Sequence, residues 1–169
     1  EGLATFTWKE LPSTNFSQLA GFDDGDAGSV GSVLAYSGGA ASDKAAYVFG
    51  GGHTDGSNNG VYRVNLDLDT PTVTQLRGIS ASTPEEADYY TDGRPATHHS
   101  YWSPQFVKAR NRFMTFTKTS VWGFLGSTKY QTVDGFDPVA GDWDAEDENY
   151  GRVTKIPAGM VTELKELDG

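Results

Sequence analysis

All three histidines of the chain, His53, His98 and His99, fall in two polar stretches, and imidazole is the side chain whose charge changes near neutral pH. The first stretch holds His53, Thr54, Asp55, Asn58 and Asn59, and the second holds Asp92, Arg94, Thr97, His98 and His99. Brought together, they would gather imidazole, carboxylate, amide and guanidinium groups at one rim, a set suited to the hydroxyl and carboxylate groups of a glycan. Tyr89, Tyr90, Tyr101 and Trp102 add flat aromatic faces on which sugar rings can rest. Three uses of these residues stay open. The first is structural, with His53 and Asp55 tying down loops and Asp92 pairing with Arg94 across a turn. The second is ligand binding. The third is catalysis or a divalent metal held by His53 with His98 or His99. Neighbouring strand residues point to opposite faces, so at most one of His98 and His99 joins such a site.

Other chemistries are excluded or weakened by residue type. The chain has no cysteine, which removes disulfides, thiolate metal sites and a cysteine nucleophile. No Ser, His, Asp order points to a triad, and no glycine-rich loop leads into a helix that would hold phosphate. Asp23-Asp24-Gly25-Asp26-Ala27-Gly28 has the oxygen-rich look of a calcium loop but lacks the distal glutamate of an EF-hand and any following helix. Asp142, Asp144, Glu146, Asp147 and Glu148 form a second acidic run, the kind that is usually a solvated loop. Calcium is the ion weighed for either stretch. A formal net charge of -10 argues against nucleic acid or an anionic membrane as partner. No run approaches the roughly 18 apolar residues needed to span a bilayer, and no basic-then-apolar leader follows Glu1.

The elements that must position these residues read as all-β. Twenty-one glycines among 169 residues accompany short apolar runs of strand length, separated by Gly, Asp, Asn, Ser and Pro clusters. Helical spacing is confined to Met160 to Leu167, which suits a strand equally well. Strands are expected in two groups of four. The first is Val30 to Tyr36, Ala46 to Gly50, Gly60 to Leu66 and Thr72 to Leu76. The second is His98 to Ser103, Arg112 to Phe116, Tyr130 to Phe136 and Trp143 with its neighbours. Ser37 to Lys44, His53 to Asn59 and Ile79 to Ala96 are expected as loops. Sequential antiparallel strands make a meander, the unit of a propeller blade. In that arrangement the loop between strands two and three of one blade lies on the same face as the start of the next, which would join the two polar stretches.

Tyr47-Val48-Phe49-Gly50-Gly51-Gly52 followed by Asn59-Gly60-Val61-Tyr62 resembles the kelch repeat, in which an apolar strand ends in double glycine ahead of a later tyrosine. Phe136-Asp137-Pro138 followed by Trp143 resembles the aromatic and tryptophan pair that joins the third and fourth strands of a kelch blade. Asp92-Gly93-Arg94-Pro95 with His99 and Tyr101 is further similar to bacterial kelch proteins of the galactose-oxidase-like propeller superfamily, and this pattern ranks His99 above His98. The likeness covers about half of the chain. Two positions depart from it: Thr117-Lys118 stands where double glycine is expected, and Val73 stands near the tryptophan position. The copper site of galactose oxidase, with its cysteine-linked tyrosine, cannot form without cysteine. Glycines that end strands and aromatics that pack between blades also have a purely architectural explanation.

The expectation is therefore an all-β partial β-propeller spanning 1–169, with blade-like units at about 29–77 and 97–148 and flanking strands at 5–12 and 152–168 from neighbouring blades. Propellers close with about four to eight blades, so other blades, from the same or another chain, are expected to complete the ring. The residues that this topology would gather are expected to make a secreted or cell-surface carbohydrate-binding module with a ligand set of His53, Asp55, Asn59, Arg94, His99 and Tyr101. An enzyme of the same superfamily, a lyase, isomerase or oxidase using His53 and His99, and a structural assembly subunit are the rivals.

Overall fold

The structure, a computed structural model, describes Leu19 and residues 37–51, 58–66, 71–80, 89–116 and 133–144. They form eight strands in two four-stranded antiparallel sheets, with no α-helix among the described residues. The first sheet takes β1 (Gly38–Ala41), β2 (Ala45–Phe49), β3 (Val61–Asn65) and β4 (Val73–Arg77) in chain order. The second takes β5 (Gln105–Val107), β6 (Arg112–Phe116), β7 (Val133–Asp137) and β8 (Asp142–Trp143), again in chain order. Each sheet is thus a meander, as the strand spacing predicts. No helix among the described residues is long and apolar enough to cross a membrane.

Local chemistry sets each hairpin. The Ser42 hydroxyl accepts the backbone N–H groups of Lys44 and Ala45, closing the β1–β2 turn. Asn65 clasps the start of β4 by donating to the Thr72 hydroxyl at 2.7 Å and accepting the Thr72 N–H at 3.0 Å. In the β7–β8 hairpin the Asp137 carboxylate accepts the N–H groups of Val139 and Ala140, and Gly141 turns the chain at φ 69°. Burial pushes the Asp137 carboxyl up, but these N–H groups and the Arg112 guanidinium 3.0 Å away outweigh it and hold the group below its ordinary value.

Alternation along the strands then builds the core. Ala45, Tyr47 and Phe49 point to one side of β2, and with Val61 they pack against Phe113 and Phe136 of the second sheet. Tyr47 stacks on Phe106 with ring centroids 5.3 Å apart, and Trp143 meets Phe49 and Phe136 edge-on at 4.9 and 5.3 Å. Phe49, Phe113 and Phe136 are completely buried, each worth about 1.5–3 kcal/mol relative to exposure. Phe136 pairs directly with Trp143 across β7 and β8. A register shift in β3–β4 leaves Leu76 unpaired between Gln75 and Arg77. That bulge lets Leu76 join the core while Arg77 reaches Asp142 at 3.1 Å. The first sheet therefore meets the second with β1 beside β5 and β4 beside the β7–β8 hairpin.

Two strands sit elsewhere than expected. Ser37 to Lys44 is not a loop: it contains β1, whose Gly-Gly-Ala-Ala sequence carries no β-branched or aromatic signal. His98 to Ser103 is not a strand: it is an irregular segment, and the first strand of the second sheet follows at Gln105. The two shifts have one cause. A Cβ on Gly38 would overlap the Tyr101 carbonyl oxygen, so β1 is made of small residues because another stretch of backbone lies against it. Val30 to Tyr36 and the flanking strands at 5–12 and 152–168 lie outside the described residues.

Replacing Gly38 with alanine is therefore expected to destabilise the fold by about 1–3 kcal/mol, because the obstructing atom is backbone and cannot swing aside. A urea unfolding midpoint equal to that of the unsubstituted protein would show that the Tyr101 backbone does not press on β1.

Candidate functional site

The segment from Tyr89 to Trp102 runs over one end of the first sheet, where β1 begins, β2 ends and β3 starts. Pro95, Ala96, Thr97, His98, His99 and Ser100 are all buried although none belongs to a strand. A buried irregular segment is tolerated only if its backbone polar groups find partners. Here Gly51 donates its N–H to the His98 carbonyl at 2.7 Å, and the Thr97 hydroxyl donates to the Gly51 carbonyl at 3.3 Å. Ser100 accepts the Gly38 N–H and donates to the Phe49 carbonyl, both at 2.6 Å. Gly50 has φ 77°, and a Cβ there would come within 2.5 Å of the His98 oxygen. Glycine is required at this strand end for both reasons.

Asn59 locks the same junction from the other side. It donates to the Ser80 hydroxyl at 2.9 Å and the Pro95 carbonyl at 3.1 Å, and it accepts the Ser80 N–H at 2.9 Å. Its neighbour Asn58 donates to the Tyr62 hydroxyl and accepts the Gly60 N–H. Both amides are buried and spent on holding three segments together. At the start of the segment, the Tyr89 hydroxyl donates to the buried Asp134 carboxylate of β7 at 3.0 Å. The segment is thereby fastened to both sheets.

The turn from Tyr90 to Gly93 precedes this strap, closed by the Gly93 N–H on the Tyr90 carbonyl and by Tyr90 N–H on the Arg94 carbonyl, both at 2.8 Å. Arg94 forms the turn salt bridge with Asp92 at 3.1 Å and donates to the Gly78 carbonyl at 2.8 Å. Burial pushes the Asp92 carboxyl up, yet the Arg94 N–H, the Ser80 hydroxyl and the charges of Arg94 and Arg77 outweigh it and hold the group below its ordinary value. Tyr90 is buried, and burial raises its phenol to about 12 against the opposing pull of a Thr97 backbone hydrogen bond, with the Asp92 charge adding to the rise.

Of the residues expected to bind ligand, His53 and Asp55 lie outside the described residues. Arg94, His99 and Tyr101 lie along one strap and Asn59 ties it from the β2–β3 connection, but they divide by exposure. Asn59 and His99 are buried, Arg94 is half-buried in its salt bridge, and only Tyr101 faces solvent to a large extent. His98 is buried against Phe49, edge-on at 5.6 Å, whereas His99 bonds the Tyr101 hydroxyl through Nδ1 at 3.0 Å and meets that ring edge-on. Tyr101 takes φ 39°, a left-handed conformation that is uncommon for a bulky residue. Beyond it Trp102 stacks on Tyr101, centroids 5.8 Å apart and planes 21° from parallel. Tyr101 is 42% and Trp102 64% exposed, so the stacked pair leaves aromatic surface in water at the end of a buried strap, a platform for contact. Tyr89 is half-buried and Tyr90 buried, so neither adds to it.

The residues most easily missed in the sequence are Ser100 and Gly38, because a lone serine and a glycine pair carry no signal of the contact they share. Among the described residues no group of three His, Asp or Glu side chains could hold a metal ion. In the second acidic run Asp142 pairs with Arg77 and Asp144 with Arg112 at 2.7 Å. Glu146 to Glu148 and Asp23 to Gly28 lie outside the described residues. No family model, curated protein or solved structure matches the chain.

The raised phenol of Tyr90 gives a signed pH dependence. The unfolded chain ionises Tyr90 near 10 and the folded chain near 12, so the fold favours the neutral phenol. Its contribution is complete below pH 10 and disappears as pH rises through 12. Urea midpoints should therefore fall across that interval, and Tyr90→Phe should flatten part of the fall. A Tyr90→Phe profile that parallels the unsubstituted protein up to pH 12 would contradict the assignment.

Proposed function

We propose that the chain is a carbohydrate-binding module whose contact surface is the Tyr101–Trp102 platform. The exposed, stacked pair carries the reading. A flat aromatic surface covers the apolar C–H face of a sugar ring while leaving its hydroxyls to water and nearby polar groups. The pair is held in place rather than free: the buried strap fixes the backbone below it, and His99 holds the Tyr101 hydroxyl. Arg94, half-buried on the same strap, supplies charge and N–H donors for a ligand hydroxyl or carboxylate. His53 and Asp55, in the stretch that follows Gly51 and leads to Asn58, complete the proposed ligand set with Asn59 acting as the tie beneath it.

The larger architecture we propose is a segment of a kelch-type propeller at the cell surface or outside the cell, completed by further blades from the same or another chain. Two meanders stacked in the same strand order, with β1 beside β5 and β4 beside the β7–β8 hairpin, support it. That is the relation between successive blades around an axis. The strand end at Gly50-Gly51 and the Phe136–Trp143 pair support it further, as positions where the kelch likeness and the packing coincide.

A glycan array followed by tryptophan fluorescence titration tests the binding function. Trp102→Ala is expected to weaken the selected glycan by about tenfold or more while leaving the urea midpoint unchanged, because the side chain packs largely against solvent. Equal affinity in Trp102→Ala, or no glycan retained by the unsubstituted protein, would contradict it.

A further inference from the structure

At the opposite end of the first sheet, where β1 turns into β2 and β3 ends, the two sheets part to form an open groove of about 480 Å³. Tyr47 and Phe106, one from each sheet, line it with their stacked rings. Its rim carries Lys44, Arg63 and Lys108 against the single carboxylate of Asp43, in a chain whose net charge is -10. A local excess of cations on so acidic a protein is opposite to the background and focuses anions.

The pairing within the groove is uneven. Asp43 is engaged by Lys108 across the gap between the sheets. Arg63 makes no ion pair or side-chain hydrogen bond among the described residues, although it stands directly across from Tyr47 in the β2–β3 register and so shares its face. Tyr47 is 6% exposed, and its hydroxyl likewise has no hydrogen-bond partner among the described residues. Asn65 and Ser42, also on the wall, are spent on the Thr72 clasp and the β1–β2 turn. A planar guanidinium fork with no partner among the described residues, a phenol hydroxyl beside it and a second cation at Lys44 match a planar anion that also carries a hydrogen-bonding and partly apolar body.

We propose that this groove binds a small carboxylated ligand of uronic-acid type, with its carboxylate on the Arg63 guanidinium and its ring toward Phe106 and Tyr47. The volume lies within the range of small-molecule sites, about 300–1,000 Å³, and accommodates one or two sugar rings. One guanidinium fork presents two parallel N–H donors in a plane, which matches the two coplanar oxygens of a carboxylate. The site is separate from the aromatic platform and stands whether or not that platform binds glycans.

Glucuronate and glucose differ only in the carboxylate, so titrating the full chain with each, followed by calorimetry and amide chemical shifts, isolates the claim. Saturable binding of glucuronate, with shifts concentrated at Ala45 to Tyr47, Arg63 and Phe106 and none for glucose, is the expected result. Arg63→Met should weaken glucuronate about tenfold or more, and Arg63→Lys should recover part of the loss. Among the described residues Arg63 has no ion pair or side-chain hydrogen bond to lose, so Arg63→Met should keep the urea midpoint. No saturable binding, equal binding of glucose, or full affinity in a folded Arg63→Met protein would each overturn the proposal.

Discussion

The contact on which the rest depends is the seating of Pro95 to Ser100 against the glycine-rich beginning of β1 and end of β2. Six buried residues without strand structure would be prohibitively costly if their polar groups were unmet, since each unsatisfied group costs about 1–3 kcal/mol. Gly51, Phe49 and Gly38 of the first sheet and Asn59 of the β2–β3 connection meet those groups through bonds of 2.6–3.1 Å. Only residues without a Cβ allow the two backbones so close. The result is an interlock between chain segments about fifty residues apart, which makes the order of the sheets a consequence of where the glycines stand.

The interlock also explains what is exposed. Once Ser100 is pinned between Phe49 and Gly38, the chain must turn away sharply to enter β5 at Gln105, and Tyr101 absorbs that turn at φ 39°. A strained aromatic residue persists where its surroundings overdetermine it, and here His99 below and Trp102 beside it do so. The platform is thus the outward consequence of the same packing that buries the histidines. Its rigidity would lower the entropy cost of the ring binding proposed for it.

How much of this the sequence foretells follows from the kind of signal each part leaves. β2, β3, β4 and β6 carry alternating apolar residues between turn formers, and their strands fall where the alternation puts them. The Phe136–Trp143 pairing was legible from the likeness of Phe136-Asp137-Pro138 and Trp143 to the kelch pair, and the Asp137 turn fixes its register in the structure. β1 was not legible, since Gly38 and Gly39 owe their strand conformation to a distant partner and not to their own preference. His98 to Ser103 misled in the opposite sense: two histidines, a tyrosine and a tryptophan read as a strand, but tertiary hydrogen bonds hold them in an irregular path. That Asn59 reaches the stretch after Arg94, at the Pro95 carbonyl, followed from meander topology. Which side chains would be buried by that meeting did not, because exposure depends on how closely the glycines let the backbones approach.

Native-state hydrogen exchange reads the interlock directly. The amides of Gly38 and Gly51, whose acceptors are the Ser100 hydroxyl and the His98 carbonyl, should exchange as slowly as those of Tyr47 and Phe113 in the strand cores, through opening of the whole unit. Exchange at Gly38 and Gly51 as fast as in an exposed loop, with the strand cores still protected, would mean that the strap is not seated and that the platform has no fixed base.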